Sequence, residues 1–284
     1  MNATVAAPAA TPTFRQMLNK VPEVTVYFWV IKVLCTTVGE TAADYLNDNL
    51  GLGLTKTSYI SAALLVAVLI WQFALRKYVP GVYWLAVVLI SVFGTLVSDN
   101  LVENYGVALE TTTIAFTILL AATFSAWYAS ERTLSIHTIY TTRRESFYWL
   151  AVLFTFALGT SAGDLVSEKA GFGYLTSILI FGGAIALVAL AHYRFKMGAV
   201  LSFWLAYILT RPLGASIGDW MSQDKSAGGL GLGTTVTSYV FLTVILGLVV
   251  FLAVTKTDET PSAEQAEPGG GAPPAGPRSP EMTV

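Results

Sequence analysis

Apolar and polar residues in this chain fall in long blocks and do not alternate. Eight apolar runs, each near the ~20 residues a helix needs to cross a bilayer, are separated by short polar connections. They cover about 22–47, 56–75, 81–103, 109–130, 146–168, 173–193, 197–221 and 235–255. Continuous runs predict α-helices and speak against a transmembrane β-barrel, whose strands alternate. The first run ends in "TVGETAADYLND", with Glu40, Asp44 and Asp48 four residues apart. On a helix that spacing makes one drifting stripe of carboxylates.

A longer period runs through the blocks, and internal periods bear on the whole fold. Trp29 is followed by Gly39 and Asp44 in the pattern W-x9-G-x4-D. The pattern returns without a gap as Trp84–Gly94–Asp99, Trp149–Gly159–Asp164 and Trp204–Gly214–Asp219, at spacings of 55, 65 and 55 residues. Four residues after each aspartate stand Asp48, Glu103, Glu168 and Gln223; glycines and then hydroxyl-rich stretches ("TKTSY", "TTT", "TS", "TTVTSY") follow. The glycines read as turns and the hydroxyls as caps of a return helix. Each unit is a long helix, an acidic end, a turn and a second helix, so all four enter the membrane in the same sense. The prediction is an all-α membrane protein: eight transmembrane helices as four tandem helical hairpins in parallel orientation, with pseudo-symmetry about the membrane normal. The repeats run about 22–77, 78–132, 142–196 and 197–255, between an N-terminal arm (1–21) and a Pro-, Gly- and Ala-rich tail (256–284) expected to be disordered.

Composition narrows the function. Of 284 residues 54% are hydrophobic and 12% charged, against about 25% charged in soluble domains. A net charge of −2 offers no basic surface for nucleic acid. Cys35 is the one cysteine, and His137 and His192 lie in or beside basic connections, so a thiolate or imidazole metal site inside the membrane is not expected. No nucleotide loop, catalytic triad or HExxH is present. "GGLGLG" at 228–233 follows no strand and reads as a plain loop. The chain is therefore expected not to be an enzyme and to need no cofactor. The arm lacks an apolar h-region, so the first span is expected to act as insertion signal. Seven basic residues near Arg76–Lys77, Arg132–Arg144 and Arg194–Lys196 outweigh Lys56, Lys169 and Lys225 on the other side. This predicts cytoplasmic termini, with the acidic connections facing outward.

The four copies, each with its tryptophan and G-x4-D core, resemble a bacterial membrane-anchored protein family built from four tandem two-helix repeats of unknown function. The likeness covers about residues 22–255. It implies the fold, the topology and a place in the bacterial inner membrane, with the lipid bilayer as partner; it implies little about activity.

The acids carry the candidate chemistry. Asp44, Asp99, Asp164 and Asp219 each lie about 30 Å along a helix, at the negative end of its dipole. Four carboxylates converging on one axis repel one another unless protonated or bridged by a cation. Together with Glu40, which has Thr95, Thr160 and Ala215 as counterparts, they form a candidate cation or proton site. Oxygen ligands, including Asn47, Asn49, Asn100 and Asn104, suit protons, Na⁺, Mg²⁺, Ca²⁺ or Mn²⁺. Asp48, Glu103 and Glu168 are expected at a solvated rim. Gly39, Gly94, Gly159 and Gly214 permit close helix approach or a helix break, and Pro212 suggests a break in the seventh helix. Lys32 and Arg211 interrupt apolar helices as counter-charges, on stripes shared with Asp44 and Asp219. Trp29, Trp84, Trp149 and Trp204 are placed as interface anchors by their depth. The leading expectation is a transporter of a small cation, with Mn²⁺ or Mg²⁺ and proton coupling as candidates. The alternative is a non-transporting membrane scaffold or stress-related sensor.

Overall fold

A computed structural model describes residues 19–259; residues 1–18 and 260–284 of the predicted arm and tail, and the side chain of Asp48, lie outside the described residues. Its long helices are α1 (Val26–Asp44), α2 (Leu54–Ala74), α3 (Pro80–Asp99), α4 (Leu109–Glu131), α5 (Thr142–Asp164), α6 (Tyr174–Phe195), α7 (Ala199–Ser222) and α8 (Thr234–Thr255). All eight are long and apolar enough to cross a membrane, and no strand occurs among the described residues. The protein is a multi-pass, all-α membrane protein.

The helices form two concentric layers. α1, α3, α5 and α7 pack side by side into a ring that closes where α7 meets α1. Each even helix lies chiefly against the odd helix of the next unit: α2 on α3, α4 on α5, α6 on α7, and α8 back on α1. The units are hairpins along the chain but interlock in space. The odd helices bury 50–67% of their spanning windows and the even ones 11–28%. The outer layer meets its lipid solvent with apolar side chains while each helix satisfies its own backbone.

Local chemistry sets the ends. Thr25 and Thr141 cap α1 and α5 by accepting hydrogen bonds from Phe28 N (3.4 Å) and Arg144 N (3.3 Å), so α1 starts later and α5 earlier than hydropathy suggests. The hydroxyl-rich starts of the even helices are not caps. The capping positions are Gly53, Ala108, Gly173 and Gly233. One turn inside, Thr57, Thr112, Ser177 and Thr237 donate to the carbonyls of those same residues at 2.8–3.3 Å. A hydroxyl entering the bilayer is satisfied by its own helix this way. Pro212 does not break α7, which is continuous from Ala199 to Ser222. Gly159 and Gly163 of α5 leave room for its ring: a Cβ on them would lie 3.1 Å from Pro212 Cδ and 3.5 Å from Pro212 Cα.

Immediately after Asp44, Asp99 and Asp164 the helix widens into one π-helical turn: Tyr45–Asn49, Asn100–Asn104 and Leu165–Lys169. The fourth unit differs. α7 runs on past Asp219 and ends in a longer loop, closed by Leu230 N–H donating to Trp220 O (2.7 Å) and Gly231 N–H to Gln223 O (2.9 Å). Both ends of the described chain lie together on the opposite side, where Glu23 N–H donates to Asp258 O (2.9 Å) and Tyr78 OH to Asp258 Oδ2 (2.6 Å). We call these faces the acidic side and the terminus side.

Candidate functional site

Residues 7, 11 and 15 after each tryptophan share one face of an odd helix, and that face lines the ring. At +7 stand Thr36, Ser91, Phe156 and Arg211; at +11, Glu40, Thr95, Thr160 and Ala215; at +15, the four aspartates. The glycines at +10 are the contact points of the ring. Gly39 faces Ser91, Gly94 faces Phe156, Gly159 faces Arg211 and Gly214 faces Thr36, each the +7 residue of the next odd helix. A Cβ on Gly94 would stand 2.9 Å from Phe156 Cβ, and at the other three it would collide outright with the facing side chain. Their role is close packing; the helices stay wound at all four.

At the ring's centre lies Arg211, fully buried. Its Nη2 donates to Glu40 Oε2 (2.8 Å), to Thr160 Oγ1 (2.7 Å) and to Thr95 Oγ1. Thr95 Oγ1 also donates to Glu40 Oε2 (3.4 Å). A group that touches all three other helices of a four-helix ring sits on its axis. The three oxygens are the +11 residues of repeats one, two and three; the fourth +11 position, Ala215, carries no polar atom. Arg211 Nε and Nη1 find no partner among the described residues. The carboxylate that Arg211 meets is not that of Asp219, which shares its helical stripe: eight residues of helix separate the two by about 12 Å, while Glu40 reaches across from α1.

Lys32 lies buried beneath this network. It pairs with no carboxylate among the described residues, and its Nζ has no hydrogen-bond partner. Its Nζ instead sits 3.9 Å from the Phe156 ring centroid and 4.3 Å from that of Tyr207.

The aspartates form the level above, toward the acidic side. Asp219 is buried and Asp44, Asp99 and Asp164 are half-buried. With Glu40 they lie within electrostatic reach of one another. The carboxylates of Asp99, Asp164 and Asp219 accept no hydrogen bond and pair with no cation among the described residues. Among those residues no three His, Cys, Asp or Glu side chains converge closely enough to hold a metal ion. Glu103 and Glu168 are exposed at the mouth. The asparagines tie helix ends together: Asn100 Nδ2 donates to Ser58 Oγ (2.7 Å), Asn104 Nδ2 to Asn100 Oδ1 (2.7 Å), and Thr234 Oγ1 to Asn49 Oδ1 (3.0 Å).

Toward the terminus side the axis is filled by aromatic rings. Trp84, Trp149 and Trp204 are 1–4% exposed, and Trp29 packs half-buried on Phe203. They are core residues, not interface anchors. Depth along the helix suggested a belt, but rotation decides, and the tryptophan shares the inward stripe with +7 and +11. The preceding residue is aromatic in every repeat: Phe28, Tyr83, Tyr148 and Phe203. These interleave with the tryptophans at centroid spacings of 5.1–5.3 Å. Sequence reasoning missed this ring, although a [FY]-W pair in all four copies was there to be seen. It also missed the buried ion pair of Lys20 with Glu145 (2.7 Å), to which Gln72 Nε2 donates (3.3 Å). Nothing in the spacing of an arm lysine and a helix-start glutamate joins them.

The family profile Repeat of Unknown Function (DUF347) matches the chain four times, at residues 27–78, 82–133, 147–197 and 202–258. No curated protein and no solved structure matches it significantly. The four matches coincide with the four interlocked units, and the chain belongs to this repeat family.

Proposed function

We propose that this member of the repeat family transports a small cation through the ring, entering from the acidic side, with Glu40 as the inner acceptor. The observation that carries the reading is Arg211. A fixed cation, held by one carboxylate and two hydroxyls from the three other repeats, stands where a mobile cation with oxygen ligands would stand. The aspartates above it supply a negative vestibule that raises the local concentration of cations. A cation or proton reaching Glu40 competes with the guanidinium, and displacement of Arg211 opens the level below. Since no three acids converge on one point among the described residues, the substrate keeps part of its water shell or is a proton. Mn²⁺ and Mg²⁺, which retain waters readily, and proton exchange are the specific candidates. The chain acts as a transporter and not as an enzyme, and its acidic side faces away from the cytoplasm.

The test is flux into proteoliposomes across H⁺, Na⁺, Mg²⁺, Ca²⁺ and Mn²⁺, for the wild type, Glu40→Gln and the four single aspartate-to-asparagine variants. Flux of one cation that falls at least about tenfold in Glu40→Gln is expected. No flux for any cation, or flux indifferent to all five substitutions, sinks the reading. One observation favours the scaffold alternative: the aromatic layer that fills the terminus side of the axis. Under that alternative the variants change stability and no ion moves.

A further inference from the structure

The ring's symmetry breaks again on its outer face. A cleft of about 620 Å³ lies on the terminus side between α6, α7 and α1, roofed by Leu134–His137 of the connection between α4 and α5. That connection belongs to the one repeat interval that is 65 residues long where the others are 55. Volumes of about 300–1,000 Å³ are typical of ligand sites. The wall is apolar, with Val33, Ile185, Val188, Ala206 and Leu213 among its residues, and Tyr193 and Val200 at its edge are 83% and 39% exposed. Apart from Thr210 at the far end, the polar groups of the lining lie toward one end. There His192 Nδ1 is 2.9 Å from Met197 O and 3.2 Å from Ser202 Oγ, and His137 Nδ1 is 3.4 Å from Glu23 Oε2. The connections flanking that end carry Arg132, Arg194 and Lys196, none of which forms an ion pair among the described residues.

We propose that this cleft binds one phospholipid with an anionic headgroup, its acyl chain against α7 and its phosphate at the basic, histidine-bearing end. The occupant follows from position. Ala189 and Tyr193 of the lining are exposed on α6, a helix whose surroundings are lipid, so an acyl chain is the apolar molecule at hand. Along α7 the lining runs from Ala199 to Leu213, about 21 Å of helix, longer than the ~15 Å half-thickness of a hydrocarbon core. The cleft is thus long enough to hold one chain of the terminus-side leaflet along its whole length. Basic groups at a membrane surface favour anionic headgroups, and here Arg132, Arg194 and Lys196 stand within three residues along the chain of the lining residues Leu134, Tyr193 and Ala199. The far end of the cleft is formed by Thr210 and Leu213, on either side of Arg211 and Pro212.

Native mass spectrometry of the full chain, titrated with phosphatidylglycerol or with phosphatidylcholine of the same chains, tests this. The wild type should retain one phosphatidylglycerol with at least about tenfold preference over phosphatidylcholine. Ala189→Trp fills the cleft from an exposed lining position and should weaken that adduct at least about tenfold. Leu187→Trp, 66% exposed and outside the lining, should leave it unchanged. If Ala189→Trp does not fold, phosphatidylglycerol with bromine-labelled chains decides on the wild type: at one lipid per protein it should quench the emission of Trp29, isolated by comparison with Trp29→Phe. No one-to-one adduct, no headgroup preference, an adduct indifferent to Ala189→Trp, or unquenched Trp29 each overturns the proposal.

Discussion

Replacing Glu40 by glutamine removes the only carboxylate bonded to Arg211 among the described residues and keeps the size of the side chain. The pair has an N–O distance of 2.8 Å, with Arg211 fully buried and the Glu40 side chain 9% exposed. At an effective dielectric constant of 20 the gross attraction at that distance is about 6 kcal/mol. Burial of both ions offsets most of it, so the net value of the pair is small while the cost of breaking it is large, about 3–5 kcal/mol. Two further guanidinium nitrogens already lack partners, so the variant has no second acid to fall back on. Glu40→Gln should therefore destabilise by about 3–5 kcal/mol. Arg211→Gln should cost less, because Glu40 lies next to the vestibule and can hydrate. The double variant should recover to within about 1.5 kcal/mol of wild type. Unfolding in mixed micelles, read as a double-mutant cycle, measures all four corners. Additive costs, with a coupling below about 0.5 kcal/mol, would refute the placement of Arg211 as an ion whose countercharge comes from α1.

Gly214→Ala, whose Cβ would strike Thr36, should cost about 1–3 kcal/mol by overpacking, whereas Gly183→Ala, with nothing within 4 Å, should be neutral or mildly stabilising; thermal unfolding in detergent separates them. Trp84→Ala should cost about 3–5 kcal/mol as a core truncation, and Trp71→Ala, 55% exposed on α2, well under that; equal costs would restore the belt reading. Burial raises the pKa of the Asp258 carboxyl and also that of the Tyr78 hydroxyl bonded to it. A carboxyl whose folded pKa lies above its unfolded value contributes stability at low pH that is lost as pH rises from the unfolded through the folded pKa. Hydrogen exchange at residues 256–259 should accordingly be slower at pH 4 than at pH 7 once corrected for intrinsic rates, and Asp258→Asn should flatten that difference.

The spans and the four units were legible because each rests on a local property: apolar length for the helices, and a fixed spacing of tryptophan, glycine and aspartate for the repeats. The glycines were legible as sites of close approach or of a break, and the unbroken helices decide for close approach. What touches them was not, because the facing residue belongs to the next unit. Arg211 shows the same limit. On its own helix the nearest acid is Asp219, but an arginine directed at the axis meets the +11 residues of three other helices, and only ring closure makes Glu40 its neighbour. The tryptophans failed for a different reason: depth was read where rotation mattered. Lys20 and Glu145 meet through a fold-back of the arm that no period encodes.

The interlocking of each return helix with the following unit bears on the order of assembly. α2 has its main partner only when α3 exists, and so on around the ring, until α8 must find α1, which is made seven helices earlier. Growth by one unit at a time always leaves the newest even helix and the flank of α1 exposed to lipid. A chain halted after three units thus has two open edges and no complete axial level. Insertion proceeds step by step, but enclosure is a single event that waits for the fourth unit to leave the ribosome.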